Sequence, residues 1–308
     1  MLLTISSKQK VYVPEVAGEV KWTTERRGSA GKLTFEVLKE GLDFAEGDVV
    51  RFGDVFYGYV FSKSRTGSDL ISVTAYDQLR YLKNKDVRKF ENMTAGEIIS
   101  QLGRELKLPV GNICDTKWKI ASKVERNISF LEMMQNALDD TLTNTGELYV
   151  LYDENGKLTL KHLADMAVPE VIWANNVQSF NYTSSIDSDV YTKVKLLQES
   201  TGEPFEAYDQ KLMNDWGLLQ YYDTVKEGEN GKAKAEALLK LYRHKKRSLS
   251  LEGCKGDAHV RGGSLVAVKL GLGDMNLQNF MLVEKAVHTF KADEHTMDLV
   301  LAGGEFSA

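Results

Sequence analysis

Residues 46–61 read Glu-Gly-Asp-Val-Val-Arg-Phe-Gly-Asp-Val-Phe-Tyr-Gly-Tyr-Val-Phe. The apolar residues of this stretch are valine, tyrosine and phenylalanine, which favour the pleated surface of a sheet. Gly47, Gly53 and Gly58 interrupt the run, and glycines at such spacing are typical of tight turns and of bends in a small barrel. The stretch therefore predicts short β-strands joined by tight turns.

The segments on either side show the same β pattern. Every second residue is apolar in residues 32–38, Lys-Leu-Thr-Phe-Glu-Val-Leu, and in residues 70–75, Leu-Ile-Ser-Val-Thr-Ala. This alternation predicts strands that bury one face. Several short strands with turn residues about every ten positions favour a barrel or sandwich over a β-α-β domain. We therefore predict a first β-barrel domain over residues 1–83.

The middle of the chain changes to helical spacing. The segments Thr-Ala-Gly-Glu at 94–97 and Ser-Phe-Leu-Glu at 129–132 have the capping-box form, and apolar residues follow each one at helical intervals. The second helix should stop near Gly146. Two apolar segments then flank an Asn155-Gly156 pair, which predicts a hairpin. Residues 84–167 therefore form a predicted α+β domain.

After Pro169 the strand pattern returns. Residues 190–197 alternate apolar and polar side chains, and further strand-like segments fill the chain from 247 to 301. Residues 232–242 are rich in Ala, Glu, Leu and Lys, which predicts one inserted helix. We therefore predict a second β-barrel domain over residues 168–308. The predicted fold class is β-rich α+β, with two β-barrel domains separated by a small α+β domain.

Composition limits the function. The chain has 308 residues and a formal net charge of -5, with 39 Lys and Arg against 44 Asp and Glu. The acidic excess argues against general nucleic-acid coating, so no specific nucleic-acid partner is predicted. Because no run approaches the roughly 18 apolar residues of a membrane span and no leader pattern opens the chain, we expect a protein made in a cytoplasm, with no membrane contact.

Two histidines near the end of the sequence suggest a metal site at first sight. If residues 291–294 form a hairpin loop, Phe290 pairs with His295 and His288 pairs with Met297, so the two imidazoles lie out of register. We favour this structural interpretation over a metal site. No nucleophile motif or carboxylate pair stands out either, and the sequence predicts no catalytic residue, no cofactor and no metal.

A basic segment follows the first predicted domain. Residues 80–89 hold five cations against one acid, with Tyr81 among them. A nucleic-acid site is one interpretation, and a protein-docking surface is the one we favour. Arg80, Lys83 and Lys85 are the cations that we assign to this surface, together with Tyr81.

A second predicted contact lies on the strand at 190–197. Lys193 and Lys195 lie on one face of this strand and Val194 on the other. Charged side chains guard sheet edges that pair with a partner. We therefore predict an edge strand that is buried through Val194 and docked through the two lysines. The strand at 297–301 is a second candidate edge.

One string allows a family to be recognised. Residues 71–85, Ile-Ser-Val-Thr-Ala-Tyr-Asp-Gln-Leu-Arg-Tyr-Leu-Lys-Asn-Lys, closely resemble the XkdQ/YqbQ family of phage-like tail proteins, the baseplate hub proteins of contractile tails, tailocins and defective prophages. Three further regions match in order, at 56–61, 249–257 and 283–299. The resemblance thus covers nearly the whole chain.

The resemblance implies a structural role. Hubs of this kind, including the base of the spike protein VgrG, are homotrimers in which each chain holds two barrels similar to the tail-tube barrel. Three chains then present a pseudo-sixfold face, so that a hexameric tail tube stacks on one side and a trimeric spike attaches on the other. The implied partners are further copies of the chain, the tube protein, the spike and other baseplate proteins, among them a LysM-containing one. The mature location would be a phage tail or tailocin particle.

Two other classes of function stay open. A peptidoglycan hydrolase in the baseplate would use carboxylates such as Asp43 and Glu46. A cell-wall-binding module would use the aromatic residues Trp216, Tyr221 and Tyr222. No spike, LysM or hydrolase segment is recognisable in the sequence, so the resemblance assigns those functions to partners and predicts a protein that is not an enzyme.

Overall fold

The structure is a computed structural model that describes residues 1–8, 10–65, 69–173, 177–225, 230–271 and 276–303. We call the first seven strands the first β unit. They are β1 (Leu3–Ser7), β2 (Lys10–Tyr12), β3 (Glu19–Glu25), β4 (Lys32–Leu38), β5 (Val49–Phe52), β6 (Phe56–Arg65) and β7 (Leu70–Tyr76). Their order in the sheet is β3-β4-β7-β6-β5-β1-β2. The alternating residues of β4 and β7 that the sequence predicted to face inward are buried, which confirms the strand prediction there.

A 3-10 helix (Gln78–Lys83) leads into the middle unit. This unit contains β8 (Lys85–Thr94), α1 (Ala95–Glu105), β9 (Val110–Ile113), β10 (Lys119–Ser129), α2 (Phe130–Thr145), β11 (Tyr149–Asp153) and β12 (Leu158–His162), and a second 3-10 helix (Leu163–Met166) follows. Both predicted capping boxes are present, at the starts of α1 and α2. Gly146 ends α2 with a φ of 77°, and β11 and β12 form the predicted hairpin.

The second β unit is formed by strands from two separate parts of the chain. They are β13 (Ala167–Trp173), β14 (Ser179–Ser185), β18 (Lys246–Lys255), β19 (Leu265–Gly271), β20 (Asn276–Lys291) and β21 (Glu294–Ala302). The predicted hairpin register is confirmed, since Phe290 pairs with His295 and His288 with Met297. β21 lies between β18 and β20. It is therefore not a sheet edge, contrary to the sequence prediction for residues 297–301.

A separate insertion unit lies between β14 and β18. It comprises β15 (Lys193–Gln198), β16 (Pro204–Tyr208), α3 (Gln210–Trp216), β17 (Gln220–Val225) and α4 (Gly231–Tyr242). The sequence predicted one inserted helix within a barrel, whereas the structure has two helices and a three-stranded sheet of their own. The difference arises because β15 pairs with β16 and β17 and packs under α4, giving this unit its own core.

The two β units share one sheet. Residues 285–291 of β20 pair with residues 19–25 of β3, so that strands from both ends of the chain join in a 13-stranded sheet. The buried side chains nevertheless form distinct cores for the first β unit, the middle unit and the second β unit. In the part of the chain that the structure describes, no helix has the length and apolar character needed to cross a membrane.

Candidate interaction surfaces and interdomain junction

The string at residues 71–85, which carries the family resemblance, lies at a junction of three units. Asp77 follows β7 directly and is buried. Its Oδ1 accepts a hydrogen bond from the Leu79 amide at 2.9 Å, and its Oδ2 accepts one from the Gly31 amide at 2.8 Å. A carboxylate that satisfies two backbone donors fixes the start of the following helix. Asp77 thus holds the 3-10 helix against the loop that precedes β4.

Gln78 connects this helix to the middle unit. Its Nε2 donates to Oδ2 of Asp153 at 2.8 Å, and both side chains are buried. Oδ1 of Asp153 accepts from the Gly156 amide at 2.8 Å, which stabilises the turn between β11 and β12. The hairpin turn is therefore tied directly to the string that follows β7.

Arg261 brings the second β unit into the same junction. Its Nη1 donates to the backbone oxygen of Asp153 at 2.9 Å. Its guanidinium lies 4.2 Å from the ring centroid of Tyr152 and 5.9 Å from that of Trp22. Cation–π contacts of this kind orient a guanidinium as well as attract it. Arg261 thus contacts side chains of both the first β unit and the middle unit.

The junction holds two buried carboxylates for one guanidinium. Burial, reinforced by the charge of Asp153, raises the pKa of Asp77 well above its usual range. Burial also raises the pKa of Asp153 to about 6, although bonds from Gly156 and Gln78 oppose the shift. Oε1 of Gln78 and Nε of Arg261 are buried without a hydrogen-bond partner. Buried polar groups without partners lower the stability of the folded state. The junction therefore concentrates such unfavourable groups where three units meet.

The seam between β3 and β20 is also polar. Nε2 of His288 lies 2.8 Å from the Val260 carbonyl oxygen, and its Nδ1 lies 2.9 Å from Nε2 of His295. A carbonyl oxygen can only accept, so His288 donates through Nε2 and accepts from His295 through Nδ1. Its ring stacks on Trp22 with 5.0 Å between centroids. Burial lowers the pKa of His288 to about 4, so the ring is neutral at pH 7.

The metal interpretation of these histidines lacks a third ligand. The two rings bond to each other, and one bonds to a backbone carbonyl, as described above. Across the ranges given for the structure, no group of three or more His, Cys, Asp or Glu side chains is arranged to hold a metal ion.

Arg80 and Tyr81 lie beside an aromatic stripe on the outer face of β6. The guanidinium of Arg80 lies 5.3 Å from the Phe61 ring centroid, and the Tyr81 ring is 5.6 Å from those of both Phe61 and Tyr59. Tyr81 keeps 37% of its surface exposed. These two predicted contact residues therefore combine a half-exposed aromatic surface with a positive charge.

Lys83 and Lys85 lie on a neighbouring surface. Both are exposed and line a groove of about 500 Å³ together with Arg27 and the first turn of α2. Arg27 also pairs with Asp139 of α2. The predicted basic strip is thus divided between two surfaces. Arg80 and Tyr81 lie beside the aromatic side chains of β6, and Lys83 and Lys85 line the groove.

Lys193 and Lys195 do not lie on a sheet edge. β15 is the central strand of the insertion sheet, antiparallel to β16 and parallel to β17, so both of its edges are already paired. The prediction of an edge strand was wrong because the pairing partners come from residues 204–225, which the sequence analysis did not read as strands. The alternation of faces was correct, since Val194 is buried and both lysines are on the opposite face.

The predicted wall-binding aromatics are not assembled into one platform. Tyr221 packs inside the insertion unit against Tyr191 and Tyr242. Tyr222 points to the other side of the sheet and is exposed, while Trp216 lies in a separate groove with Lys245 near its ring. The carboxylates proposed for a hydrolase are exposed on the loop between β4 and β5.

Sequence reasoning missed the junction residues. Asp77 and Gln78 are part of the string that carried the family resemblance, but they were not separated from the partly exposed Arg80 and Tyr81. Their spacing held a signal: an Asp followed by a short helix is a capping pattern. Asp153 and Arg261 gave no comparable signal for the junction, because the bonds that join them to other units span 75 or more positions.

Comparisons with known proteins agree with this architecture. A model of the YQBQ-like family matches residues 20–302. The uncharacterized protein YqbQ of Bacillus subtilis (strain 168) is 31% identical over 310 residues, covering 95% of this chain and 94% of the relative. The phage-like element PBSX protein XkdQ of the same organism is 30% identical over 270 residues, covering 83% and 81%.

Solved structures share the fold at low sequence identity. The 43 kDa tail protein of prophage MuSo2 from Shewanella oneidensis superposes with a TM-score of 0.70 at 15% identity, covering 98% of both chains. A tail protein from Neisseria meningitidis MC58 gives a TM-score of 0.67 at 14% identity, covering 98% of this chain and 96% of that protein. The fold is therefore that of phage tail proteins, and by the match to its sequence model the chain belongs to the YQBQ-like family.

Proposed function

We propose that this chain is a structural protein of a phage-type tail. The observation that carries the proposal is the combination of family membership over residues 20–302 with a fold shared along the whole length of a prophage tail protein. One relative is described as a protein of the phage-like element PBSX. A role in assembly also suits an architecture in which the string that carries the family resemblance bonds to another unit through Gln78.

Within the tail, we propose the position of a baseplate hub. The two β units would be the two tube-like barrels, and three copies would form a pseudo-sixfold ring that joins a hexameric tube to a trimeric spike. A more distant structural neighbour, the c3393 protein of E. coli, is described as a type VI secretion component with similarity to the T4 tail proteins gp27 and gp5, with a TM-score of 0.61 at 9% identity. The shared sheet through β20 and β3 supports a ring in which the two units keep one relative orientation.

The basic strip has a place in this proposal. Arg80, Tyr81, Lys83 and Lys85 would face neighbouring proteins of the baseplate, because cations that lined the channel would retain the phosphates of passing DNA. Assembly would take place in the bacterial cytoplasm, and the mature protein would reside in a phage tail or tailocin particle made by a contractile system.

Deletion and complementation test the proposal. Removing the gene from a strain that makes the particle should abolish tails in which tube and spike are joined, and the wild-type gene should restore them. A double variant, Asp43→Asn with Glu46→Gln, should restore them equally well, because the proposal gives these exposed carboxylates no chemistry. Normal tails without the gene would contradict the structural role. Loss of wall-cutting activity in otherwise normal particles of the double variant would favour the hydrolase.

A further inference from the structure

One face of the insertion sheet is open to solvent. The register pairs Lys193 with Tyr208 and Lys195 with Glu206 on one side, and Lys195 with Tyr222 on the other. Paired residues on neighbouring strands point to the same face of a sheet. We call this set of five residues the open face.

The opposite face of the same sheet is a core. Val194 and Leu196 are fully buried there, and α4 covers them. Because side chains alternate along a strand, this burial fixes the orientation of β15 and leaves the open face as the only side of the strand on which a partner can bind. Both edges of β15 are already paired.

Two large aromatic side chains of the open face are exposed to solvent. Tyr208 is 59% exposed and Tyr222 is 57% exposed, one on each side of the central strand. Tyrosine is enriched at protein interfaces, because its ring adds apolar contact area at a small entropic cost while its hydroxyl group remains hydrogen-bonded. Two such rings on one face therefore indicate a contact surface.

The charges of the open face are unbalanced. Glu206 bridges the two lysines, with 2.9 Å from Oε2 to Nζ of Lys193 and 3.7 Å from Oε1 to Nζ of Lys195. The Lys193 contact, followed by the charge of both lysines, lowers the pKa of Glu206, so the carboxylate is ionised at neutral pH. Among these five residues, two ammonium groups against one carboxylate leave one positive charge between the two tyrosines. A further carboxylate, that of Glu199, lies at the end of the same face, where its Oε1 accepts from Oγ1 of Thr224 at 3.0 Å.

We propose that the open face is the docking site for an acidic surface of another protein of the tail particle. A carboxylate of the partner would pair with the two lysines, and the two tyrosines would pack against apolar residues of the partner beside that carboxylate. The proposal deepens the structural role above and rests on it, since it requires a particle that contains other proteins.

Two other occupants fit less well. A second copy that used the same face in a twofold contact would bring two lysine pairs into one interface with only one Glu206 for each pair. A wall glycan would need adjacent rings on which to stack, whereas Tyr208 and Tyr222 are separated by the whole width of β15. The positive charge of the lysine pair, which lies between the two rings, instead favours an anionic protein surface.

Site-specific photo-crosslinking in assembled particles tests the proposal. A benzophenone amino acid replaces Tyr222 in one variant and Tyr208 in another, and purified particles are irradiated. The control carries the same group at Glu236, which is exposed on α4 at the back of the unit. We expect both open-face variants to crosslink to one and the same other tail protein, at a peptide rich in Asp and Glu, and the control not to do so.

Charge reversal gives the second arm. Adding Lys193→Glu and Lys195→Glu should lower the yield of that crosslink about tenfold, because two attractive contacts become repulsive. The matched control Lys211→Glu reverses an exposed charge on α3 and should change the yield little. Circular dichroism of the purified variants is the control that tests whether each one is folded.

Each remaining outcome contradicts the proposal in a recognisable way. Crosslinks only between copies of this chain, or none from either tyrosine position, would overturn the docking site while leaving the structural role intact. Binding of purified wall that is lost on Tyr222→Ser would assign the face to a glycan and overturn the protein partner. Particles that lack this chain altogether would overturn the structural role as well.

Discussion

Gln78 donates a hydrogen bond from Nε2 to Oδ2 of Asp153, and the two residues are 75 positions apart in the sequence. The bond joins the string that follows the first β unit to the hairpin turn of the middle unit. Arg261, in the loop between β18 and β19, joins the second β unit to the same place, because its Nη1 donates to the backbone oxygen of Asp153. The string that carries the family resemblance is therefore turned inward at Asp77 and Gln78, where it contributes to a junction of three units.

Replacing Gln78 with Leu tests the contribution of this bond. The change removes the donor and leaves Oδ2 of buried Asp153 without it, so the free energy of unfolding should fall by about 1–3 kcal/mol. The exposed neighbour Lys83→Ala should change stability by less than about 0.5 kcal/mol. Urea unfolding of the three proteins measures both effects, and equal stability of Gln78→Leu and wild type would contradict the junction's role.

Asp153 should make stability depend on pH. Its pKa of about 6 in the folded protein exceeds the usual value for an unfolded chain, so the folded state binds the extra proton between about pH 4 and pH 6. The stabilisation from this proton is present at about pH 4 and is lost as the pH rises through 6. Two pKa units correspond to about 3 kcal/mol. Asp153→Asn should flatten this part of the stability curve, and an unchanged slope in the variant would contradict the assignment.

His288 should act in the opposite direction. Its pKa is about 4 in the folded protein and near 6.5 in an unfolded chain, so the unfolded state binds more protons between those values. Stability from His288 is therefore lost as the pH falls from 6.5 towards 4. An NMR titration of the imidazole signals should show His288 neutral at pH 5.5. A midpoint near 6.5 for this residue would mean that it is not buried in the seam as described.

Two substitutions on adjacent residues separate the faces of β15. Val194→Asp places an unpaired charge in the core of the insertion unit and should cost several kcal/mol. Because that core is separate from those of the β units, we expect loss of structure mainly at residues 193–242. Lys193→Glu should leave the fold intact. Hydrogen exchange followed by mass spectrometry measures the loss by region, and equal destabilisation by both variants would contradict the assignment of faces.

Local features of the fold could be predicted from the sequence. The capping boxes at Thr94 and Ser129, the stop at Gly146 and the register of Phe290 with His295 depend on residues within a few positions of each other. Few other local conformations are possible in such cases, because the capping side-chain oxygen and the backbone donor lie only three positions apart in the sequence.

Long-range pairings could not be predicted in the same way. The pairing of β20 with β3 joins residues more than 250 positions apart, and the sequence of either strand does not identify the other as its partner. The edge prediction for Lys193 failed for the same reason, since a lysine on the solvent face of a central strand and one on an edge strand follow the same alternation. Only the neighbours in space on both sides, Tyr208 on β16 and Tyr222 on β17, distinguish the two cases.

Image reconstruction of the assembled particle tests the central claim most directly. The structural role predicts density for this chain at the end of the tail tube, in three copies, with the first and second β units alternating around the channel and the Arg80 side turned towards neighbouring proteins. A reconstruction of complete particles in which this chain is absent, or in which it occupies the channel wall with Arg80 and Lys83 facing the lumen, would contradict the account.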